Sequence, residues 1–303
     1  MSGTFERTRD RIRYIRWRWA RNCLDTLGHV LQAPRLESQN AEIVATLRAE
    51  GIAVMNRPAD PVLFEELQAT ASRIAGEVWD EDANRPRSNR HDRKGDRTGL
   101  GPEERKDFLQ VLTPRSFAPD SVYLRYALQP PFIAIANAYL GLKARLRAIH
   151  LWLNFPTNGD AASTQLWHRD GDDFMNLKIF TYLTDVGNQN GPFGFIPRTQ
   201  PLGSRRIRPD GSEHGRTNDE QMRRAVDESN WKICTGSAGS VIYADTCGYH
   251  KGVKPVAGRR LMLMVHYSSG AATSGSELKI DGMPKGVLSR EQLIAIGAGT
   301  KDI

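Results

Sequence analysis

The sequence predicts an α+β protein with a mainly β core, a double-stranded β-helix (jelly-roll) barrel flanked by helices, and three observations carry that expectation. Short runs that alternate polar and apolar residues are separated by turns rich in Gly, Pro and Asn, the pattern of barrel strands. Segments of helical period lie mainly before those runs, where they would flank the barrel. A His-x-Asp pair and a distant His fall at the ends of strand-like runs, which would set a metal site at the barrel's mouth.

Residues 5–32 form an amphipathic helix. Ile12, Ile15, Trp19, Cys23, Leu27 and Leu31 recur at steps of three and four, Arg9, Arg13, Arg16 and Arg21 lie mostly elsewhere, and Pro34 stops the helix. Two arrangements fit it: a terminal helix packed across the domain with solvated arginines, or an interfacial one. The second sets Trp17, Trp19 and the arginines at anionic lipid headgroups, or against a protein. Residues 40–50 are helical and lead into the strand Gly51–Met55, and a helix over Pro61–Ile74 carries Val62, Leu63, Leu67 and Ala71 on one side. Asp80–Thr98, with Arg85, Arg87, Arg90, Arg93, Lys94 and Arg97 among its acids, is too charged for core. It is a solvated loop or a lid that meets an anionic group.

The Pro130-Pro131 pair begins a helix that Gly141 ends, and Leu146–Phe155 follows as a strand. Met175–Val186 is the next strand, closed by a turn over 187–191 before Pro192–Pro197. Residues 203–230 interrupt the strands with an insertion that holds a short helix near Glu220–Val226 and would shape a substrate entrance. Gly239–Thr246 and Arg260–Tyr267 are the last strands. The expected organisation is a basic helix over 1–39, one domain over 40–270 with a charged loop at 76–118 and the insertion at 203–230, and a tail over 271–303 ending in a helix.

The net charge of +7 is uneven, since residues 1–21 hold seven arginines against Glu6 and Asp10. One segment therefore suits an anionic surface or partner, while the rest is near balance. Nucleic acid is not expected, because the charge is confined to one helix and no base-reading module appears. No run of about 18 apolar residues exists to span a membrane, and no signal-peptide core is present. The three cysteines, Cys23, Cys234 and Cys247, match no zinc or redox spacing, as in a reducing compartment. The expected place is the cytosol, with peripheral contact to an anionic membrane as the open alternative.

In Trp167-His168-Arg169-Asp170 an imidazole and a carboxylate lie two residues apart, on one side of an extended segment. Gly248-Tyr249-His250, at the end of a strand-like run, supplies a second imidazole. Two histidines and one carboxylate make a facial triad with positions left open on Fe(II), whereas a lone His-x-Asp would be a surface pair. Arg260, ten residues beyond His250, suits the far carboxylate of a bidentate keto-acid, its planar fork matching that geometry. Arg259 and Arg260 face opposite ways on a strand, so only one looks inward. Lys178, Phe180 and Tyr182 share a strand face. Lys178 either faces inward, where it needs a negative partner such as the keto-acid, or points outward. His29, His91, His150, His214 and His266 are expected to be structural or solvated.

On these residues the sequence resembles the phytanoyl-CoA dioxygenase-like family of Fe(II)/2-oxoglutarate-dependent oxygenases over roughly 40–270. The likeness runs from Gly51–Met55 through the His-x-Asp, the strand ending Tyr182-Leu183-Thr184-Asp185, the Asn190-Gly191-Pro192 turn, and the distal His with its Arg. It implies a cupin-like jelly roll, iron on His168, Asp170 and His250, and 2-oxoglutarate held by Arg260, with Asn154 helping unless it merely caps its strand. The implied reaction is hydroxylation of a C–H bond of a small substrate by O2, with release of succinate and CO2. The carboxylate of Asp170 stands where family halogenases have a small residue. Desaturation, cyclisation or epimerisation at the same iron, and a jelly-roll module that only binds, are the alternatives. Where the family usually shows Pro-Gly-Ser-His, this chain has Pro197-Arg198-Thr199-Gln200, which is expected to bring a charge near the site.

Overall fold

Side chains alternate across a strand, so a strand covered on both faces sends one set of residues to each side. Arg260–Ser268 is buried along its whole length and divides in this way. Leu261, Leu263, Val265 and Tyr267 join the main apolar core, whereas Arg260, Met262, Met264 and His266 line a cavity on the opposite face. That division organises the molecule.

A computed structural model of the chain describes residues 2–32, 35–84, 108–112, 117–157, 159–210, 212, 214–272, 278–282 and 288–297. The strands are β1 (Ile52–Met55), β2 (Phe108–Leu112), β3 (Arg145–Asn154), β4 (Leu177–Tyr182), β5 (Phe193–Phe195), β6 (Lys232–Cys234), β7 (Val241–Ala244), β8 (His250–Gly252) and β9 (Arg260–Ser268). The helices are α1 (Ser2–Arg16), α2 (Cys23–Gln32), α3 (Ser38–Glu50), α4 (Pro61–Asn84), α5 (Val122–Ala127), α6 (Pro130–Leu140), α7 (Asp219–Ala225) and α8 (Arg290–Ala295). One antiparallel sheet of six strands has the order β1-β7-β4-β9-β3-β2, and a second of three has the order β6-β5-β8. The jelly roll is thus two facing sheets, not a closed barrel.

Helices cover the outer face of the large sheet: Val44 and Leu47 of α3, Leu67 and Ala71 of α4, and Phe132, Ile135 and Tyr139 of α6 pack with its outward residues. Gly51 ends α3 at φ 79°, a left-handed cap that favours glycine. On the inner face Phe180, Tyr182, Met262 and Met264 meet Phe193 and Phe195 of the small sheet. Tyr182 clamps the two sheets, its hydroxyl donating to Cys234 O at 2.7 Å and accepting from Phe193 N at 2.9 Å.

Several elements depart from expectation. The helix at Pro61 continues to Asn84, and of the charged segment Asp80–Thr98 the residues from 85 on lie outside those described. The strand leading to His250 ends at Ala244, and His250 opens a separate strand in the other sheet. The helix expected over 5–32 is interrupted by a π-helical turn at Trp17–Arg21, and its burial is inverted. Trp17 is 2% exposed, whereas Ile12, Ile15, Trp19, Leu27 and Leu31 face outward. Trp17 lies against Phe174, ring centroids 5.9 Å apart, and its Nε1 donates to Asp173 Oδ1 at 2.6 Å. C-terminal α8 also packs on the domain, where Arg145 donates to Ile294 O at 2.9 Å and Gln292 to Leu128 O at 3.0 Å.

Trp17→Ala should lower unfolding stability by about 3 kcal/mol, since it removes a buried indole and its hydrogen bond to Asp173. Trp19→Ala should stay within about 0.5 kcal/mol of the parent. Urea unfolding of both variants checks the inversion, and the reverse order would refute it.

Candidate active site

His168 and His250 are brought together by backbone pairing. His168 N donates to His250 O at 3.0 Å and His250 N to His168 O at 2.9 Å, a bridge between antiparallel neighbours whose side chains share one face. Their rings lie 4.2 Å apart. The His-x-Asp segment is held on both flanks, for Trp167 exchanges backbone bonds with Thr217 of the 203–230 insertion at 2.8 and 2.9 Å, and Asp170 N donates to Thr246 O at 2.9 Å. Two residues on from His168, Asp170 returns to the same side. Its Oδ1 is 4.0 Å from His168 Nε2 and its Oδ2 3.7 Å from His250 Nε2. One ligand atom from each of the three residues lies within 4.8 Å of the others, a set that could hold a metal ion.

The protonation states suit a cation. Nδ1 of His168 sits 2.8 Å from Leu166 O and Nδ1 of His250 3.1 Å from Gly248 O, which makes each Nδ1 the donor and leaves Nε2 with its lone pair inward. Burial, with His250 beside it, holds the His168 imidazole down to about 3, and burial likewise lowers His250, so both are neutral. Burial pushes the Asp170 carboxyl up, but the Lys178 ammonium beside it outweighs that and keeps it below the usual carboxylate range. Lys178 Nζ is 2.7 Å from Asp170 Oδ2. Lys178 therefore faces inward, and Asp170 supplies the negative partner that its burial demands.

A second network carries His250. The turn after β7 is pinned by buried Asp245, which accepts from Tyr139 OH at 2.7 Å and from Cys247 N at 3.1 Å, while Gly248 N donates to Asp245 O at 2.9 Å. Thr246 is held by Asn176 Oδ1, and Tyr249 N donates to Thr199 Oγ1 at 2.8 Å. The Pro197–Gln200 segment so positions the distal histidine through Thr199. Arg198, expected near the site, instead lies exposed with φ 70° and pairs with Glu50 at 3.0 Å. Its guanidinium points to solvent at the end of α3.

A cavity of about 320 Å³ opens beside the three residues, between the two sheets. At one end Arg260, 3% exposed, donates to Asn154 Oδ1 at 2.8 Å and to Gly191 O. Gly191 has φ 78°, and a Cβ there would stand 2.5 Å from Val253 O, so the carbonyl that Arg260 meets depends on glycine. The Nε of Arg260 is buried without a partner, and among the described residues no carboxylate pairs with this guanidinium. Arg259 is exposed. Phe180 forms an apolar wall with Phe193, Met262 and Met264.

His150 and His266, expected to be structural or solvated, line the cavity with Arg147, Trp152, Gln165 and Arg216. The signal was present for two strands. His266 stands six residues from Arg260 and His150 four from Asn154, even offsets that put each on the inward face. Arg216 and Gln165 come from loops whose paths no periodicity reveals. His214 is exposed, and His91 lies outside the described residues. Cys247 is buried, its Sγ 3.6 Å from Asp173 O.

Two facing antiparallel sheets with a pair of imidazoles and a carboxylate at the inner face make the architecture of an Fe(II)/2-oxoglutarate-dependent oxygenase. Within that class the chain belongs to the phytanoyl-CoA dioxygenase (PhyH) family, whose model matches residues 47–254. Solved structures agree in fold. AviO1 from Streptomyces viridochromogenes Tue57 is 18% identical with TM-score 0.53, covering 80% of this chain and 100% of that one. SnoK, a non-heme alpha ketoglutarate dependent carbocyclase from nogalamycin biosynthesis, is 17% identical with TM-score 0.51, covering 80% and 88%. The epimerase SnoN, in complex with Fe3+, alpha ketoglutarate and nogalamycin RO, is 14% identical with TM-score 0.50, covering 79% and 87%. No curated protein sequence matches the chain. Among the described residues no helix is long and apolar enough to cross a membrane.

The Asp245 carboxyl is pushed up to about 6 by burial, against the pull of its hydrogen bonds, from 3.8 in the unfolded chain. A raised acid contributes stability that is complete below 3.8 and is lost as pH rises through about 6. Because the buried neutral His168 and His250 contribute the opposite slope over the same range, it is the stability of the parent relative to Asp245→Asn that should fall from pH 4 to 7, by at most about 3 kcal/mol, in thermal melts of the two. Equal slopes in both would exclude ionisation of this group as the cause.

Proposed function

We propose that the protein is an Fe(II)- and 2-oxoglutarate-dependent dioxygenase that hydroxylates a C–H bond of a small organic substrate. The observation that carries the reading is the pairing, along one cavity, of two neutral histidines and a carboxylate with a buried guanidinium that lacks an anion. Burial of an unpaired charge is costly, so Arg260 calls for a carboxylate from outside the chain. The donor set fits iron: His168 and His250 through Nε2 and Asp170 through its carboxylate are the proposed ligands. Arg260 is the proposed anchor for the far carboxylate of 2-oxoglutarate, with Asn154 fixing its fork. Iron and 2-oxoglutarate, when bound, supply the chemistry that consumes O2, releases succinate and CO2, and oxidises the substrate.

The chain's own residues then bind, orient and exclude water. Lys178 keeps Asp170 ionised and fixes its rotamer, a supporting role in place of a direct contact with the keto-acid. Phe180 and the methionines of β9 keep that end of the cavity apolar, which strengthens the charge pairing within it. Arg147 and Arg216 in the lining favour a substrate that carries an acidic group.

The parent should bind one Fe(II) per chain and convert 2-oxoglutarate to succinate. Alanine at His168, Asp170 or His250 should abolish both, as metal analysis and succinate release would record; full turnover by Asp170→Ala would refute the ligand set. With substrate present, a product heavier by one oxygen atom supports hydroxylation, and one lighter by two hydrogens would replace it with desaturation or ring closure.

Arg260→Ala should raise the KM for 2-oxoglutarate roughly ten- to hundredfold, the loss of about 1.5–3 kcal/mol from a charge-assisted contact. Arg259→Ala should leave it unchanged. The anchor is misassigned if only the Arg259 variant shows the rise.

A further inference from the structure

The N-terminal helix is built inside out. Its inward row runs Asp10, Tyr14, Trp17, Asn22, Thr26 and His29, in which Asp10, Asn22 and Thr26 are buried polar residues, Tyr14 and His29 are half-buried, and Thr26 is 0% exposed. Its outward row runs Ile12, Ile15, Trp19, Leu24, Leu27 and Leu31, with Leu24 80% and Leu31 73% exposed. Both rows step by three or four residues except once, where each steps by five: from Trp17 to Asn22 and from Trp19 to Leu24. Those steps fall at the π-helical turn over Trp17–Arg21, whose wider turn aligns residues five apart. The turn therefore carries the apolar row unbroken from α1 onto α2.

The inward polar residues are bound where they lie. Asn22 Nδ2 donates to Trp17 O at 2.9 Å and Thr26 Oγ1 to Arg18 O at 2.9 Å, which satisfies carbonyls that the break would orphan. Asp10 pairs with Arg206 at 2.9 Å and Asp25 with Arg145 at 2.6 Å. The helix is thus locked to the domain by its polar side. Its described acids, Asp10 and Asp25, turn inward, while Arg9, Arg11, Arg13 and Arg16 remain exposed beside the apolar row.

We infer that this face docks on an anionic lipid membrane, the apolar row entering the headgroup boundary and the arginines meeting lipid phosphates. An amphipathic segment with leucines and an indole on one side, flanked by arginine, is complementary to such a surface in both charge and polarity. A nucleic acid would use the arginines but leave six large apolar side chains in water. Because Trp17 hydrogen-bonds Asp173, three residues beyond Asp170, the docked helix is rigidly tied to the loop that carries the site. The enzyme would then present its cavity at a fixed attitude to the membrane.

Vesicle flotation of the full-length chain tests this, with phosphatidylcholine vesicles and with the same lipid containing phosphatidylglycerol. The parent should float with the anionic vesicles at low salt, stay behind with the neutral ones, and release as sodium chloride is raised. The triple variant Leu24→Ser, Leu27→Ser, Leu31→Ser should lose about tenfold or more of that partitioning while its circular dichroism and melting temperature hold. Arg9→Gln with Arg11→Gln and Arg16→Gln should weaken binding to the anionic vesicles and flatten its salt dependence. Absence of flotation, or flotation unchanged in the leucine variant, would overturn the inference. So would sedimentation showing a parent dimer that the leucine substitutions dissociate without any vesicle binding, since the face would then cover a second copy of the chain.

Discussion

The buried contact between Lys178 and Asp170 is the constraint on which the site depends. Both groups lie between the sheets, and neither charge would be tolerated there alone, because desolvation costs several kcal/mol per ion. Paired at 2.7 Å, they hold each other ionised and turn the Asp170 carboxylate toward two imidazoles that burial keeps neutral. The result is an anionic donor set with its lone pairs convergent. Lys178 is delivered by β4 at the centre of the large sheet, so the geometry inherits the rigidity of the sheet and not that of a loop.

Around this contact the fold uses alternation to separate stability from chemistry. On β3 and β9 the outward residues belong to the helical core, while the inward ones, Asn154, His150, Arg260 and His266, face the cavity. Substitution on one side changes packing, and substitution on the other changes what the cavity can hold. The small sheet and the turn through Asp245 then supply His250, and Tyr139, Asn176 and Thr199 bear on its position through Asp245, Thr246 and Tyr249.

The N-terminal helix shows how position overrides periodicity. Its apolar row has the spacing of a core-facing stripe. Yet Trp17, Asp10, Asn22 and Thr26 find specific partners on the domain or within the helix, whereas the apolar row stays largely exposed, with the Arg18 guanidinium over the Trp19 ring. The π-helical turn preserves this inversion along the full segment.

What the sequence by itself determined is local and short-range. The parity of His168 with Asp170, the opposed directions of Arg259 and Arg260, the strand carrying Lys178 and Phe180, and the glycine that ends α6 all follow from periods of two or 3.6 residues and from backbone sterics. The motif order sufficed for the jelly roll and the family. What only the tertiary structure decided was which distant groups meet. Asp170 pairs with Lys178, Glu50 draws Arg198 away from the site, and Arg216 reaches the cavity from an insertion. It also decided which face of α1 and α2 is buried. Each of these turns on the long-range pairing of charges or on the path of a loop, and periodicity carries no information about a partner many residues away.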